Sequence, residues 1–257
     1  MPYILDQAGD STERERLTLL QSYYDVKTIP KLEQLGVAPG WRCHDLGAGA
    51  GSVSAWLSER VRPSGSVLAI DLDVTLLEPL ASPTLSVRRH DIRIDELPKN
   101  ADLVHARLLL EHLPDHEDVL HRMIRALRPG GWLLLTDTDF RTVRLSEPDP
   151  AFDRVASAFA AATRAAGWNI QLGPELASML EKAGLTDVEA ECWQTYDRGG
   201  IAGLLLARTY RRLRDKLVKH GAKPADVDRV ETRIASGTVG MFGPTSWMAW
   251  GRRPAGA

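Results

Sequence analysis

The chain has 257 residues, of which 44% are hydrophobic, a formal net charge of -2 and two cysteines, Cys43 and Cys192. That size and apolar content fit one large domain, or one domain carrying an insertion, with a substantial core. The balanced charge supplies no global field for nucleic acid or an anionic membrane, no apolar run is long enough to cross a bilayer, and two cysteines in strand-like segments make neither a disulfide framework nor a cysteine-rich metal site.

Residues 11–24 read as an amphipathic helix, with Thr12 and Glu15 at capping-box spacing and Leu17, Leu20 and Tyr24 on one face. A second helix is predicted from the late twenties to Leu35, with Pro30 near its start, Gly36 as its stop and Pro39-Gly40 as a turn. From Trp41 an alternation begins. WRCHDLG is a strand, GAGAG a glycine loop, SVSAWLSERV a helix, and VLAIDL, LSVRRHD and ADLVHAR are three further strands. His116 to Leu127 reads as a helix closed by Arg128-Pro129-Gly130-Gly131, and WLLLTDTD as the fifth strand. Helices are then expected over 151–166 and 174–183, a sixth strand over VEAECWQTY, helices over 200–219 and 225–236, and a closing strand over TSWMAWGRR.

Strands separated by helical patterns define βαβ units. The expected fold class is α/β: a Rossmann-like, doubly wound, mostly parallel seven-stranded sheet with helices on both faces and a helical cap. Within a single domain, 1–36 supplies N-terminal helices over the crevice and 37–140 the cofactor-binding core. The remainder, 141–257, carries the covering helices, including an insertion at 198–242.

The sharpest signal is Asp45-Leu46-Gly47-Ala48-Gly49-Ala50-Gly51, joining the first strand to the first core helix. Glycines there let the backbone turn sharply and approach a ligand, at a helix N-terminus. The spacing is G-x-G-x-G, not the G-x-G-x-x-G of a dinucleotide site, and an acid precedes the loop. Asp45 would repel a pyrophosphate and attract an ammonium, which disfavours a nicotinamide-dependent oxidoreductase; its structural alternative is a helix cap. About twenty residues on, Asp71 ends the second strand, where a carboxylate can accept both ribose hydroxyls. His90-Asp91-Ile92 ends the third, where Asp91 can accept from an adenine amino group and Ile92 can pack on the ring.

In order and spacing these segments resemble the class I S-adenosylmethionine-dependent methyltransferases. HDLGAGAG resembles the first motif of that family and LAIDLD its ribose-binding strand end. RHDI is similar to the adenine-contacting segment, LVHARLLLEHLPD to the fourth-strand motif, and LRPGGWLLLTD to the turn and strand that follow. The match covers roughly residues 36–140, and more loosely the chain is similar to small-molecule methyltransferases of the ubiquinone-methylase-like type. The resemblance implies S-adenosyl-L-methionine as cofactor and S-adenosyl-L-homocysteine as product. It implies Gly47, Ala48, Gly49 and Gly51 under the methionine portion, Asp71 and Leu72 at the ribose, Asp91 and Ile92 at the adenine, and Arg107 and Leu108 near the sulfonium. Arg107 departs from the small or polar residue common there. A cation beside a sulfonium is unfavourable, so its side chain is expected to point away or to pair with an acid such as Glu111.

Methyl transfer needs alignment, exclusion of water and, for an acceptor with a high pKa, a base. His112 and His116 are candidate bases, with packing and helix capping as their structural alternatives. Tyr24 is a candidate for the methionine carboxylate or the acceptor, and Asp139, with Asp137, for orienting an acceptor; no metal site is expected. Tyr23, Phe140, Trp168, Met241 and Phe242 offer apolar lining, the last two within Gly240-Met241-Phe242-Gly243-Pro244, which reads as a loop. The basic run from Arg208 to Lys219 reads as a solvated face. The expected partner is a small-molecule methyl acceptor, with an aromatic or hydrophobic metabolite favoured, no nucleic acid and no membrane. A homodimer is compatible with the pattern and cytoplasm is the expected location. An RNA or protein methyltransferase and a non-catalytic cofactor-binding module are the alternatives.

Overall fold

The computed structural model describes residues 11–256. Ser11–Gln34 (α1) precedes Arg42–Leu46 (β1), Ser52–Arg60 (α2), Ser66–Asp71 (β2), Leu85–Arg89 (β3), Ala101–Arg107 (β4), His116–Ala126 (α3) and Leu127–Asp139 (β5). Arg144–Leu145 (β6), Pro150–Ala165 (α4), Leu176–Lys182 (α5), Thr186–Trp193 (β7) and Tyr196–Asp197 (β8) follow. Then come Ile201–Arg212 (α6), Arg214–Lys219 (α7), Pro224–Ala235 (α8), Met241–Phe242 (β9) and Thr245–Arg252 (β10).

The main sheet has seven strands in the order β3-β2-β1-β4-β5-β10-β7. β10 runs antiparallel to both neighbours and the other pairs are parallel. The order reverses between β1 and β4, and such a switch point opens a crevice beyond the carboxyl ends of the strands. Alternation divides each strand between two helical layers. Leu68 and Ile70 face Met123 of α3 and Leu180 of α5. Val67 and Ala69 face Leu32 of α1 and Leu57 of α2.

Local chemistry explains the departures from the sequence reading. The two expected N-terminal helices are one, α1, with Pro30 inside it. Proline removes one helical donor, and the carbonyl that loses its partner belongs to Val26, which is 68% exposed and therefore open to water. Leu32, Leu35 and Val37 anchor the end of the helix in the core. The side chain of Thr12, half of the expected capping box, lies outside the described residues. Arg128-Pro129-Gly130-Gly131 does not follow a helix as a free turn; it lies inside β5, where the register with β4 shifts between Ala101 and Leu103. Gly130 has φ 74, and a Cβ on Gly131 would stand 2.8 Å from the Ala101 carbonyl oxygen, so glycines let the bulge form. VEAECWQTY splits after Trp193. Its last residues join a second, three-stranded sheet in the order β6-β9-β8, which also takes Met241 and Phe242 out of the expected loop.

The helical cap has its own core. Phe152, Val155 and Phe159 of α4 meet Leu206 and Tyr210 of α6 and Val230 and Ile234 of α8. The basic run breaks at Leu213 into α6 and α7, and its cations are paired. Arg208 reaches Glu15 of α1 at 2.7 Å, Arg211 reaches Glu231 at 2.5 Å and Arg214 reaches Asp228 at 2.8 Å. Among the described residues no helix is long and apolar enough to cross a membrane.

Met123→Ala, at a fully buried side chain under the sheet, is expected to lower unfolding free energy by about 2–5 kcal/mol. Val26→Ala, on the exposed side of α1, should change it by less than about 0.5 kcal/mol. Urea unfolding followed by far-UV dichroism measures both; equal losses would mean that the burial pattern is misassigned.

Candidate active site

The crevice at the switch point is a cavity of about 1220 Å³ reaching from the ends of β1, β2 and β3 to the cap. Its floor begins at the glycine loop. Gly47, Gly49 and Gly51 have φ 65, 58 and 81, a region side chains rarely adopt. The Ala48 N–H donates to the Ile70 carbonyl at 3.0 Å and the Gly49 N–H to Asp71 Oδ2 at 2.8 Å, so the loop is fastened to the end of β2. Gly47, Ala48 and Gly49 line the cavity; Gly51 does not. A Cβ on Gly51 would come within 2.5 Å of Leu80 and 2.7 Å of Leu77, so this glycine serves packing at the start of α2.

Asp45 differs most from its expected role. It is 2% exposed and lies outside the cavity lining. Its carboxylate accepts from Ser54 Oγ at 2.5 Å and contacts His105 Nδ1 at 2.8 Å. The acid before the loop ties β1 to α2 and β4; it offers no charge to an ammonium in the crevice.

Asp71, Leu72, Asp91 and Ile92 all line the cavity. Asp71 accepts from the N–H groups of Gly49 and Asp73, and burial raises its pKa against the lowering effect of those bonds. Leu72 is 49% exposed at the lip, an apolar surface suited to a flat ring. Asp91 is held by Arg93 through Nε and Nη2 at 2.9 and 2.6 Å, and the Arg93 guanidinium keeps its carboxyl below the usual range.

At the end of β4, Arg107 turns from the crevice floor to Asp25 of α1 at 2.9 Å; its partner is not Glu111. Asp25 also accepts from Ser52 Oγ at 3.1 Å, so one acid joins α1, the first turn of α2 and β4. Leu108 follows at φ 53, and its N–H donates to the Thr136 carbonyl at 2.7 Å. Such a backbone costs a side-chain-bearing residue roughly 1–2 kcal/mol and turns the chain into the crevice.

The deeper half lies between the β4 loop, α1 and the cap. Tyr23, Tyr24, His112, Phe140 and Trp168 line it, with Leu205 and Leu206 from α6. His112 and Trp168 pack with ring centroids 4.4 Å apart. The Tyr24 hydroxyl accepts from Ser246 at 3.2 Å, and burial pushes its pKa up, so the phenol keeps its proton near neutral pH. Burial and the Arg16 guanidinium push His112 down to about 3, so its imidazole is neutral and weakly basic.

Glu111 lines the same half, although the sequence reading gave it only a pairing role. It is 2% exposed and accepts from the Thr138 N–H and hydroxyl at 2.9 and 2.5 Å. Burial outweighs those bonds and raises its carboxyl to about 7. Asp137 lies behind it, fully buried and also raised, by desolvation first and by Glu111 second.

Besides Asp45 and Gly51, four further expected residues lie outside the cavity lining. His116 begins α3, its Nδ1 3.1 Å from the Leu113 carbonyl oxygen. Asp139 caps a short 3-10 turn by accepting from the Arg141 N–H at 3.0 Å, and it pairs with the Arg141 guanidinium. Met241 is buried in the cap core, and Phe242 packs on Tyr196 beneath the Arg144 guanidinium. Among the described residues no group of three acids, histidines or cysteines is placed to hold a metal ion.

A doubly wound sheet with a glycine loop after β1 and acids closing β2 and β3 defines a nucleotide-cofactor fold. A family profile described as a methyltransferase domain matches residues 20–190, and the chain belongs to that family. The Strobilurus tenacellus methyltransferase str2 is 34% identical over 145 residues, 54% of this chain and 50% of its own length. A trans-aconitate 2-methyltransferase of Methylobacterium radiotolerans is 29% identical over 188 residues, 69% of this chain and 70% of its own. The chain spans half or less of the first curated relatives it matches, 50%, 35% and 36% of their lengths. In fold, the Haemonchus contortus phosphoethanolamine N-methyltransferase 2, crystallised with S-adenosylhomocysteine, superposes with a TM-score of 0.55 at 17% identity. The alignment covers 94% of this chain and 52% of that one.

Asp71→Ala removes the acceptor at the end of β2 and the clamp on Gly49. It is expected to weaken S-adenosylhomocysteine binding by about 2–3 kcal/mol by calorimetry. Asp45→Asn, outside the cavity, should lower the unfolding midpoint and leave that affinity within about threefold. The reverse pattern would exchange the roles assigned to the two acids.

Proposed function

We propose that the protein transfers the methyl group of S-adenosyl-L-methionine to a small-molecule acceptor bound between the β4 loop and the cap. The observation that carries this reading is the single cavity. Its volume of about 1220 Å³ exceeds the ~300–1,000 Å³ of a one-ligand pocket and spans the strand-end acids and the aromatic wall. A cofactor and a second small molecule fit such a space. The named activities of the relatives, on trans-aconitate among others, agree with a small acceptor.

The residues present fit the cofactor. Gly47 and Gly49 leave the floor open, and a Cβ on Gly47 would stand 3.1 Å from Leu109. Asp71 would hold the ribose hydroxyls through lone pairs not used by Gly49 and Asp73. Leu72 and Ile92 would face the adenine, with Asp91, steadied by Arg93, at its edge. When bound, the cofactor supplies a methyl group on a sulfonium, activated for in-line displacement.

The chain's own part is placement, dryness and proton handling. Asp25 neutralises Arg107, which removes an unfavourable cation from the neighbourhood of a sulfonium. Tyr23, Phe140, Trp168 and Leu206 hold an apolar or aromatic acceptor body and exclude water. A base of matched strength is better placed at Glu111 than at His112, because a pKa near the working pH serves proton transfer and one of about 3 does not. Tyr24, protonated, is a hydrogen-bond donor. His116 and Asp139 do not line the cavity, and both are engaged elsewhere, His116 at the Leu113 carbonyl and Asp139 with Arg141.

Calorimetric titration with S-adenosylhomocysteine, with NADH and NADPH as controls, tests the cofactor. Binding of the first alone is expected, and binding of a nicotinamide cofactor instead would overturn the reading. Glu111 also predicts a pH effect on stability. Its folded pKa, about 7, is raised from 4.5, so the folded state keeps a proton that the unfolded state releases. Stability therefore falls as pH rises from 4.5 to about 7. In Glu111→Gln, urea unfolding at about pH 5 and pH 8 should show a smaller fall than in the native protein. An unchanged fall would remove Glu111 as the source.

A further inference from the structure

The deeper half of the cavity carries charge that an apolar acceptor does not use. Arg16 of α1 and Arg212 of the last turn of α6 both line it. Arg16 is 7% exposed and the Arg212 side chain 12%. Glu13 joins them: its carboxylate accepts from Arg16 Nε and Nη2 at 2.9 and 2.6 Å and stands 3.5 Å from Arg212 Nη1. One acid thus fixes the spacing of two guanidiniums contributed by different parts of the chain, α1 and the cap. Their field is felt nearby. The Arg16 charge adds to burial in holding His112 down, and the Arg212 charge adds to burial in lowering Lys216.

Buried guanidiniums on a cavity wall match carboxylates in shape, since their planar donors pair with two oxygens at once. The acids of the same wall, Glu13 and Glu111, favour a singly charged ligand over a doubly charged phosphate ester. Beside the pair stand Tyr23, Phe140, Trp168 and Leu206, a wall for a flat or apolar body. We propose that Arg16 and Arg212 are the anchoring subsite for a carboxylate of the acceptor, which makes the acceptor class an organic acid with an apolar or aromatic body. This rests on the small-molecule reading above.

The cofactor's methionine portion is a second source of carboxylate. Leu17, not Arg16, stands over the glycine loop, its Cδ2 3.5 Å from where a Gly49 Cβ would be. Glu13 ties Arg16 to Arg212 at the end of α6, the helix whose Leu205 and Leu206 line the aromatic part of the cavity, which puts the pair on the acceptor side.

The test is calorimetry on the full chain, first with S-adenosylhomocysteine alone and then, saturated with it, with trans-cinnamate, 3-phenylpropanoate and phenyl phosphate. Methyl cinnamate and cinnamamide are the neutral counterparts. At least one carboxylic acid is expected to bind, with its neutral counterpart and the phosphate ester weaker by about tenfold or more. Arg212→Gln and Arg16→Gln should lose about tenfold for the acid and stay within about twofold for S-adenosylhomocysteine, while Arg212→Lys keeps part of the affinity. Urea midpoints identify any variant that fails to fold, and Arg212, at the cap edge, remains testable if Arg16 is not. Equal binding of acid and neutral compound, no binding by any acid, or preference for the phosphate ester overturns the proposal. A selective loss of S-adenosylhomocysteine affinity in the arginine variants would move the pair to the cofactor's carboxylate and overturn it as well. Failure of the native protein to bind S-adenosylhomocysteine at all would instead sink the parent reading.

Discussion

The Asp71 carboxylate accepts the Gly49 N–H at 2.8 Å, and the geometry of the crevice depends on that bond. A loop whose glycines sit at φ 65, 58 and 81 has no side-chain packing of its own to hold it. Fastening it to the end of β2 fixes the floor of the cofactor site relative to the acid expected to meet the ribose. The same carboxylate therefore shapes the site and lines it. Its cost is desolvation, visible in the raised pKa, and three backbone N–H groups offset part of that cost.

A second constraint acts at the other end of the cavity, where ionisable groups are buried together. Glu111 and Asp137 are both buried there, so desolvation raises both carboxyls and Glu111 adds to the rise at Asp137. His112, beside the Arg16 guanidinium, is driven the opposite way. The acid and the imidazole are neighbours in sequence, yet their environments separate their proton affinities by several units, and only the acid falls near neutrality. Residue type alone points to the histidine as a proton acceptor, whereas burial and the Arg16 charge weaken it and burial strengthens the carboxylate.

What could be read from the sequence followed from periodicity and fixed spacing. Seven strands, their mostly parallel order, the glycine loop and the acids at Asp71 and Asp91 all lie on local patterns, and the structure places them as such. Asp45 was legible as an important acid but not in its role, because Ser54 and His105 meet it only through packing of α2 and β4 on β1. Met241 and Phe242 looked like a free loop since a two-residue strand pairing with β6 and β8 has no periodicity to detect. Glu111 was visible only as a possible partner for Arg107. The signal that could have raised it was the apolar run Leu108-Leu109-Leu110 before it, which carries the chain inward and takes the acid out of water. Arg16, Arg212 and Glu13 are far apart along the chain, so no local pattern shows that they meet.

That meeting bears on how the cavity is closed. Between α1 and α6, Arg208 meets Glu15 in a partly exposed pair of the kind that contributes about 0–1 kcal/mol, and Arg212 meets Glu13 in one largely shielded from water. The cap's cohesion comes from the aromatic and aliphatic contacts of α4, α6 and α8, and Tyr23 of α1 packs against the same cluster. α1 is itself fastened at its other end, through Asp25 to Ser52 and Arg107 and through Leu32 to the sheet core. A cover built this way is tied to the sheet over the cofactor half and to the cap, by Tyr23 and the two ion pairs, over the other half. An anion entering between the two arginines would add attraction between α1 and the cap, on top of the Glu13 contact that already joins them.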